Sequence, residues 1–252
     1  MPTDTNSSGP GIDNDSRGTP PESLHPRPRP LPIDAVLFDL DGTLADTAPD
    51  LVGALNRVRV DVGLPPLPFQ ALRRFASHGA RGLLGAGMDM RPDDDGYEAL
   101  RLAFLAHYEA ALCVESTLFD EVGALLDDLE ARALPWGIVT NKAERFTHPL
   151  LAALGLGERA GTVICGDTTP HAKPHPAPLL LAAERLGIAP ERCLYVGDAE
   201  RDIAAGIAAG MPTLIAEYGY LEADDEPERW SADGVIATPR GLLAWLPPPR
   251  VG

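Results

Sequence analysis

Five short, unbroken apolar runs, each stopped by turn residues and separated by stretches of helical period, leave this chain few architectures to choose from. They occupy residues 35–38, 136–139, 163–165, 193–196 and 213–216. Their apolar residues are continuous and do not alternate, so each reads as a strand buried on both faces, the habit of parallel sheets. Between them, Val122, Leu125, Leu126 and Leu129 fall at i, i+3, i+4 and i+7, as do Leu179, Ala182, Ala183 and Leu186, with Gly187 placed to stop the second helix. Ile203 and Ile207 begin a similar core-facing stripe that Gly210 ends. The expected fold is α/β, with a doubly wound, mostly parallel, Rossmann-like sheet.

One interval breaks the alternation. Residues 48–117 hold no strand-like run, but Leu51, Leu55, Val58 and Val62 make one helical face and Tyr97, Leu100, Phe104 and Tyr108 another. Such a length exceeds an ordinary crossover. It predicts an inserted α-helical cap domain over 48–117, with the core domain formed by 33–47 and 118–247. Residues 1–32 are rich in Pro, Gly, Ser, Asp and Asn and carry few apolar groups, so a disordered tail is expected there.

With 21 basic and 37 acidic residues the formal net charge is −16, which argues against nucleic acid and anionic membrane as partners. The same charge repels a small phosphate ester, so any anion site must be locally positive or hold a metal ion. Cys113, Cys165 and Cys193 show neither metal-ligand nor redox-pair spacing and read as reduced thiols. No apolar run approaches the ~18 residues of a membrane span, and no signal pattern opens the chain. A cytoplasmic protein, monomer or homodimer, is expected.

The polar residues at the run ends carry the chemistry. The first run is followed by Asp39-Leu-Asp41-Gly42-Thr43, which in extended chain points two carboxylates the same way before Gly42 allows a sharp turn. A calcium loop would need further oxygen ligands and a closing Glu, which are missing. The second run ends in Thr140-Asn141-Lys142; Thr140 taken singly is as good a helix cap as a ligand. Lys173 sits in a proline-bounded loop, where an exposed lysine is the ordinary reading, but a site crowded with acids needs a cation. Asp198 and Asp202 follow the fourth run one helical turn apart, where capping or dipole complementarity would also explain them. Together Asp39, Thr140, Lys173 and Asp198 recur at the carboxyl ends of inferred strands, where ligands bind in doubly wound sheets.

These four segments, Asp39-Leu-Asp-Gly-Thr-Leu, Thr140-Asn-Lys, Lys173-Pro and Gly197-Asp-x-x-x-Asp202, resemble the ordered motifs of the haloacid dehalogenase-like phosphatases over roughly residues 35–246. Asp46-Thr-Ala-Pro-Asp50 and Ser77-His-Gly-Ala-Arg-Gly82 resemble most the phosphoglycolate phosphatases, and the N-acetylmuramic acid 6-phosphate phosphatases are very similar over the same segments. The resemblance implies a small phosphorylated metabolite as substrate and the following roles. Asp39 is the nucleophile and forms an aspartyl phosphate. Asp41 is the acid and then the base. Magnesium is held by Asp39, the main-chain carbonyl of Asp41, Asp198 and Asp202, the last directly or through water. Lys173 neutralises charge, and Thr140 with Asn141 holds phosphate oxygens beside Lys142. Arg81, flanked by glycines in what reads as a mobile loop, is expected to meet a substrate carboxylate; His78 reads as stabilising that loop.

Three rivals share parts of this pattern. A phosphomutase of the superfamily usually carries small residues where Asn141-Lys142 stands. A signalling receiver needs neither Asp41 as acid nor a cap, and a dehalogenase lacks the acid two residues after the nucleophile.

Overall fold

The computed structural model describes residues 28–221 and 225–249. Six parallel strands, β1 (Ala35–Phe38), β4 (Trp136–Val139), β5 (Thr162–Ile164), β6 (Cys193–Gly197), β7 (Thr213–Ala216) and β8 (Gly234–Ile236), lie in the order β5-β4-β1-β6-β7-β8. Every adjacent pair is parallel. β1 is central, and the connections run outward from it in both directions.

The two-residue alternation of each strand divides its apolar side chains between two cores. Val36, Phe38, Trp136, Ile138, Leu194 and Val196 pack against α5 (Val122–Ala131) and α6 (Glu144–Ala153) on one face. Ala35, Leu37, Val139, Cys193 and Tyr195 pack against α7 (Ala177–Leu186) and α8 (Glu200–Ala208) on the other. Runs apolar at every position are therefore what this sheet requires.

Between β1 and β4 the chain leaves through β2 (Ala45–Asp46) and returns through β3 (Thr117–Leu118), an antiparallel pair. The excursion contains α1 (Ala48–Asp61), α2 (Phe69–Leu72), a 3-10 segment Arg73–His78, α3 (Gly79–Met88) and α4 (Tyr97–Ala110). Leu51, Leu55, Val58, Leu83, Leu84, Phe104 and Tyr108 give these helices a core of their own. Its exit and return are tied by Asp50, buried in the first turn of α1, whose carboxylate accepts from Ser116 N–H (2.9 Å), Ser116 Oγ (2.6 Å) and Glu115 N–H (3.0 Å).

Several sequence expectations are corrected. The third strand of the sheet runs from Thr162 to Ile164, one residue ahead of its apolar run at both ends, and it stops short of Cys165 because the Cys165 N–H donates to the Thr168 hydroxyl. β8 goes unseen in the sequence because Gly234 breaks its run; a Cβ there would lie 2.2 Å from the Trp245 ring. Val62 sits just past α1, half exposed, and Ile207 faces solvent, so neither completes its stripe. The tail expected over 1–32 falls largely outside the described residues, but Leu31 N–H donates to the Trp245 carbonyl at 2.8 Å, so order begins before residue 33. Among the described residues, no helix is long and apolar enough to cross a membrane.

Candidate active site

Asp39, Thr140 and Asp198 each follow the last residue of a strand, and those strands, β1, β4 and β6, are neighbours. Adjacency at about 4.8 Å per strand makes their convergence a consequence of the topology. Asp202, one turn into α8, completes the set: Asp39, Asp198 and Asp202, all buried, each present an oxygen within 4.8 Å of the others.

Two glycines make room for this packing. At Gly42, φ is +87° and a Cβ would lie 2.1 Å from Asp198 Oδ2; at Gly219 it would lie 2.4 Å from the Asp198 Cβ. Gly42→Ala should therefore lower stability by at least about 2 kcal/mol, a fall of roughly 4 °C or more in Tm, and weaken divalent-cation binding at Asp198. Thermal unfolding and a metal titration on the same variant check both effects.

Lys173 enters from the loop ahead of α7, fully buried. Its Nζ lies 2.9 Å from Asp39 Oδ1, 2.7 Å from Asp202 Oδ1, 2.8 Å from the Val139 carbonyl and 2.7 Å from the Tyr195 hydroxyl. Four oxygens thus compete for three ammonium protons. Asp39 Oδ1 also accepts from Leu40 N–H at 2.7 Å, whereas its Oδ2 has no partner among the described residues and is the open oxygen.

Asp202 takes Lys173 and Tyr195 on Oδ1 and the Ala199 N–H on Oδ2, which leaves one lone pair of Oδ2 without a donor. Asp198 accepts from Tyr220 N–H at 2.9 Å and, at 3.4 Å, from Thr43 Oγ1.

Burial raises the Asp198 carboxyl to about 8, with Asp39 and Asp202 adding to the push. Burial also raises Asp39, to about 6, against the pull of Lys173 and with a further push from Asp202. Burial acts the same way on Asp202, but Lys173 and Arg201 outweigh it and hold that carboxyl below its ordinary value. Fully ionised, the three carboxylates would exceed the two cations that face them, Lys173 and Arg201, by one negative charge, and with no ion bound the raised Asp198 carboxyl keeps a proton instead. Buried oxygen donors with an uncompensated charge are the donor set of a hard divalent cation, and Asp39 and Asp198 have lone pairs to spare for one.

Asp41 stands apart from this cluster. Its Oδ1 takes the Lys142 ammonium at 3.0 Å and the Thr47 hydroxyl, while Oδ2 has no partner among the described residues. Burial opposes the Lys142 charge, yet Asp41 and Tyr108 overcome it and push its pKa up; the ammonium also sits 4.7 Å from the centre of the Tyr108 ring. Lys142 thus pairs with Asp41 while also lining the cavity between the strand tips and the insertion.

The Asn141 side chain is not free for phosphate, because its amide donates to the Lys173 carbonyl and accepts from the Lys173 N–H, both at 2.9 Å. It pins the lysine loop to the second strand tip. Buried Thr140 accepts from Lys142 N–H through Oγ1 and keeps its hydroxyl proton to give.

A cavity of about 1020 Å³ opens between these strand tips and the helical insertion, with Asp39, Asp41, Thr140 and Lys173 at its floor and Phe75, Phe104 and Phe146 in its wall. Arg81 lines it from the first turn of α3. The glycine-rich segment read as a loop is therefore helical, with Gly79 at its start. Arg201, on α8, also reaches the cavity and donates from Nη2 to the Ser77 carbonyl and Oγ, both at 2.8 Å. The sequence reading gave no role to Arg201, Thr47, Tyr195 or Tyr220. A polar ring end inside an otherwise apolar strand marks Tyr195, but nothing local marks Tyr220, which lies in an irregular loop.

Residues 33–210 match the family model of the haloacid dehalogenase-like hydrolases. The chain is 44% identical over 208 residues to an N-acetylmuramic acid 6-phosphate phosphatase of Pseudomonas putida, an overlap of 82% of this chain and 93% of the relative. It is 45% identical over 217 residues to a phosphoglycolate phosphatase of Xanthomonas campestris, covering 85% and 98%. A crystal structure of a predicted phosphoglycolate phosphatase from Haemophilus somnus superposes with a TM-score of 0.74 at 28% identity, covering 84% of this chain and 97% of that one.

Proposed function

Because this chain belongs to the haloacid dehalogenase-like hydrolases, we propose that it is a magnesium-dependent phosphatase working through an aspartyl phosphate on Asp39. Residues 33–47 and 118–247 act as its hydrolase core and residues 48–117 as its cap. The observation carrying this reading is the division of labour between two acids on one strand tip: Asp39 is tied to Lys173 and Asp41 to Lys142.

The open Oδ2 of Asp39 attacks phosphorus as the bond to the ester oxygen breaks. Asp41, with Oδ1 fixed by Lys142 and Thr47, delivers a proton from Oδ2 to the leaving alkoxide. It then takes a proton from the water that attacks the phosphorus of the aspartyl phosphate and frees Asp39. Lys173 and the Thr140 hydroxyl meet the phosphate oxygens. Asp39, Asp198 and the Asp41 carbonyl would hold the magnesium ion, which when bound would supply the positive charge that lets a phosphate dianion approach the strand tips. Asp202 holds Lys173 and would meet the ion directly or through water.

The substrate is a small phosphorylated metabolite bearing a carboxylate, for which Arg81 and Arg201 offer guanidinium groups. The first reading is 2-phosphoglycolate. The second, N-acetylmuramic acid 6-phosphate, is favoured by the cavity, whose 1020 Å³ and phenylalanine wall suit an acylated sugar better than a two-carbon acid. Phosphate release is measured from both esters and from hexose phosphates, with magnesium and with EDTA. The reading requires activity on one carboxylate-bearing ester that EDTA abolishes. Release unaffected by EDTA, or confined to hexose phosphates, overturns it. The free thiols Cys113, Cys165 and Cys193 support a reducing, cytoplasmic setting.

A further inference from the structure

We infer that Tyr220 is a positioning residue that holds the hinge of the helical insertion so that Thr47 can hold the acid Asp41. Thr47 occupies the N-cap position of α1, where a threonine hydroxyl ordinarily accepts from the helix's own amides, yet it makes no capping bond. Its hydroxyl is turned instead to Asp41 Oδ1.

The helix entry is held instead by the Tyr220 hydroxyl, which takes the Thr47 N–H at 2.7 Å and the Ala48 N–H at 3.0 Å, the latter shared with Asp46 Oδ1 at 3.3 Å, and donates to Asp46 Oδ1 at 2.7 Å. One proton and two lone pairs are all used, so the phenol oxygen matches the hinge group for group. The other Asp46 oxygen pairs with Arg73 of the insertion at 3.1 Å, and that guanidinium lies 4.8 Å from the centre of the Tyr220 ring. Tyr220 also gives its main-chain N–H to Asp198. A single residue thus fastens the hinge, backs the cap and steadies the metal-side carboxylate. Only the first task needs the hydroxyl.

Tyr220→Phe separates these tasks, because ring and main chain remain. The inference rests on the phosphatase reading for its kinetic arm alone. In the metal-free full-length protein, amide exchange of the segment 45–52 should rise by about tenfold or more, while α5 stays unchanged. With p-nitrophenyl phosphate and magnesium, where Asp41 serves as the base that cleaves the aspartyl phosphate, kcat should fall about tenfold, with KM and the half-saturating magnesium concentration within about threefold of wild type.

Thr47→Val should lose at least as much kcat, Thr47→Ser should recover most of it, and Tyr220→Phe added to Thr47→Val should cost no more than about threefold extra, since both act through one contact. Unchanged kcat in Tyr220→Phe, losses that multiply, or an effect confined to magnesium affinity overturns the inference. If Tyr220→Phe does not fold, Thr47→Val decides, and wild-type kcat there overturns it. Should the wild type release no phosphate, the exchange arm still decides the hinge.

Discussion

Asp39→Asn is expected to lower kcat by at least about 10⁴-fold while leaving the fold intact. The amide keeps an acceptor for the Leu40 N–H and for Lys173, which retains Asp202 at 2.7 Å, so the buried ammonium is not stranded. What disappears is the anionic Oδ2. Stability should move the other way. Burial raises the folded carboxyl of Asp39 from 3.8 to about 6, so ionised Asp39 opposes folding; the penalty is absent below the unfolded value and grows as pH rises towards 6. Metal-free Asp39→Asn at pH 7.5 should therefore melt no lower than wild type, and the advantage should vanish near pH 4. Steady-state kinetics with thermal unfolding across that pH range checks both halves; a variant that turns over at wild-type rate removes Asp39 from the chemistry.

Much of this arrangement was readable in the chain because the sheet is buried on both faces. Unbroken runs such as 193–196 betray such strands, and polar residues directly after them, Asp39, Thr140 and Asp198, must then stand at one edge. Lys173 was legible only through charge: a site crowded with acids needs a cation, and nothing in its own proline-bounded loop marks this lysine. What stayed hidden depends on contacts far apart in sequence. The pairing of Lys142 with Asp41, the use of the Asn141 amide on the Lys173 backbone, and the reach of Arg201 to Ser77 each follow from how two loops meet. The glycines around Arg81 misled because Gly79 and Gly82 sit in a helix whose packing overrides their weak propensity; a Cβ at Gly82 would lie 2.5 Å from the His78 Cβ. Tyr220 is the extreme case, with its partners 172–174 residues away in sequence.

Replacing Asp41 tests the acid and the base separately, if the leaving group is chosen to need no acid. Asp41→Asn is close to isosteric: its carbonyl oxygen can take the place of Oδ1 beside Lys142 and Thr47, and its amide nitrogen the place of the proton-bearing Oδ2. With an alkyl phosphate, whose alkoxide must be protonated as it departs, the first step slows, and kcat should fall by about 10² to 10⁴. With p-nitrophenyl phosphate the phenolate leaves unaided, so Asp39 is still phosphorylated, but the water that must cleave the acyl phosphate has lost its base. The expected result is a burst of nitrophenolate close to one equivalent per active site, followed by slow turnover, and an acid-stable mass increase of one phosphoryl group located on Asp39. Wild-type turnover with both substrates would remove Asp41 from proton transfer. A loss of equal size for both, with no burst and no labelled protein, would mean that Asp41 serves attack itself, and the division of labour between the Lys173-bound and Lys142-bound acids would have to be abandoned.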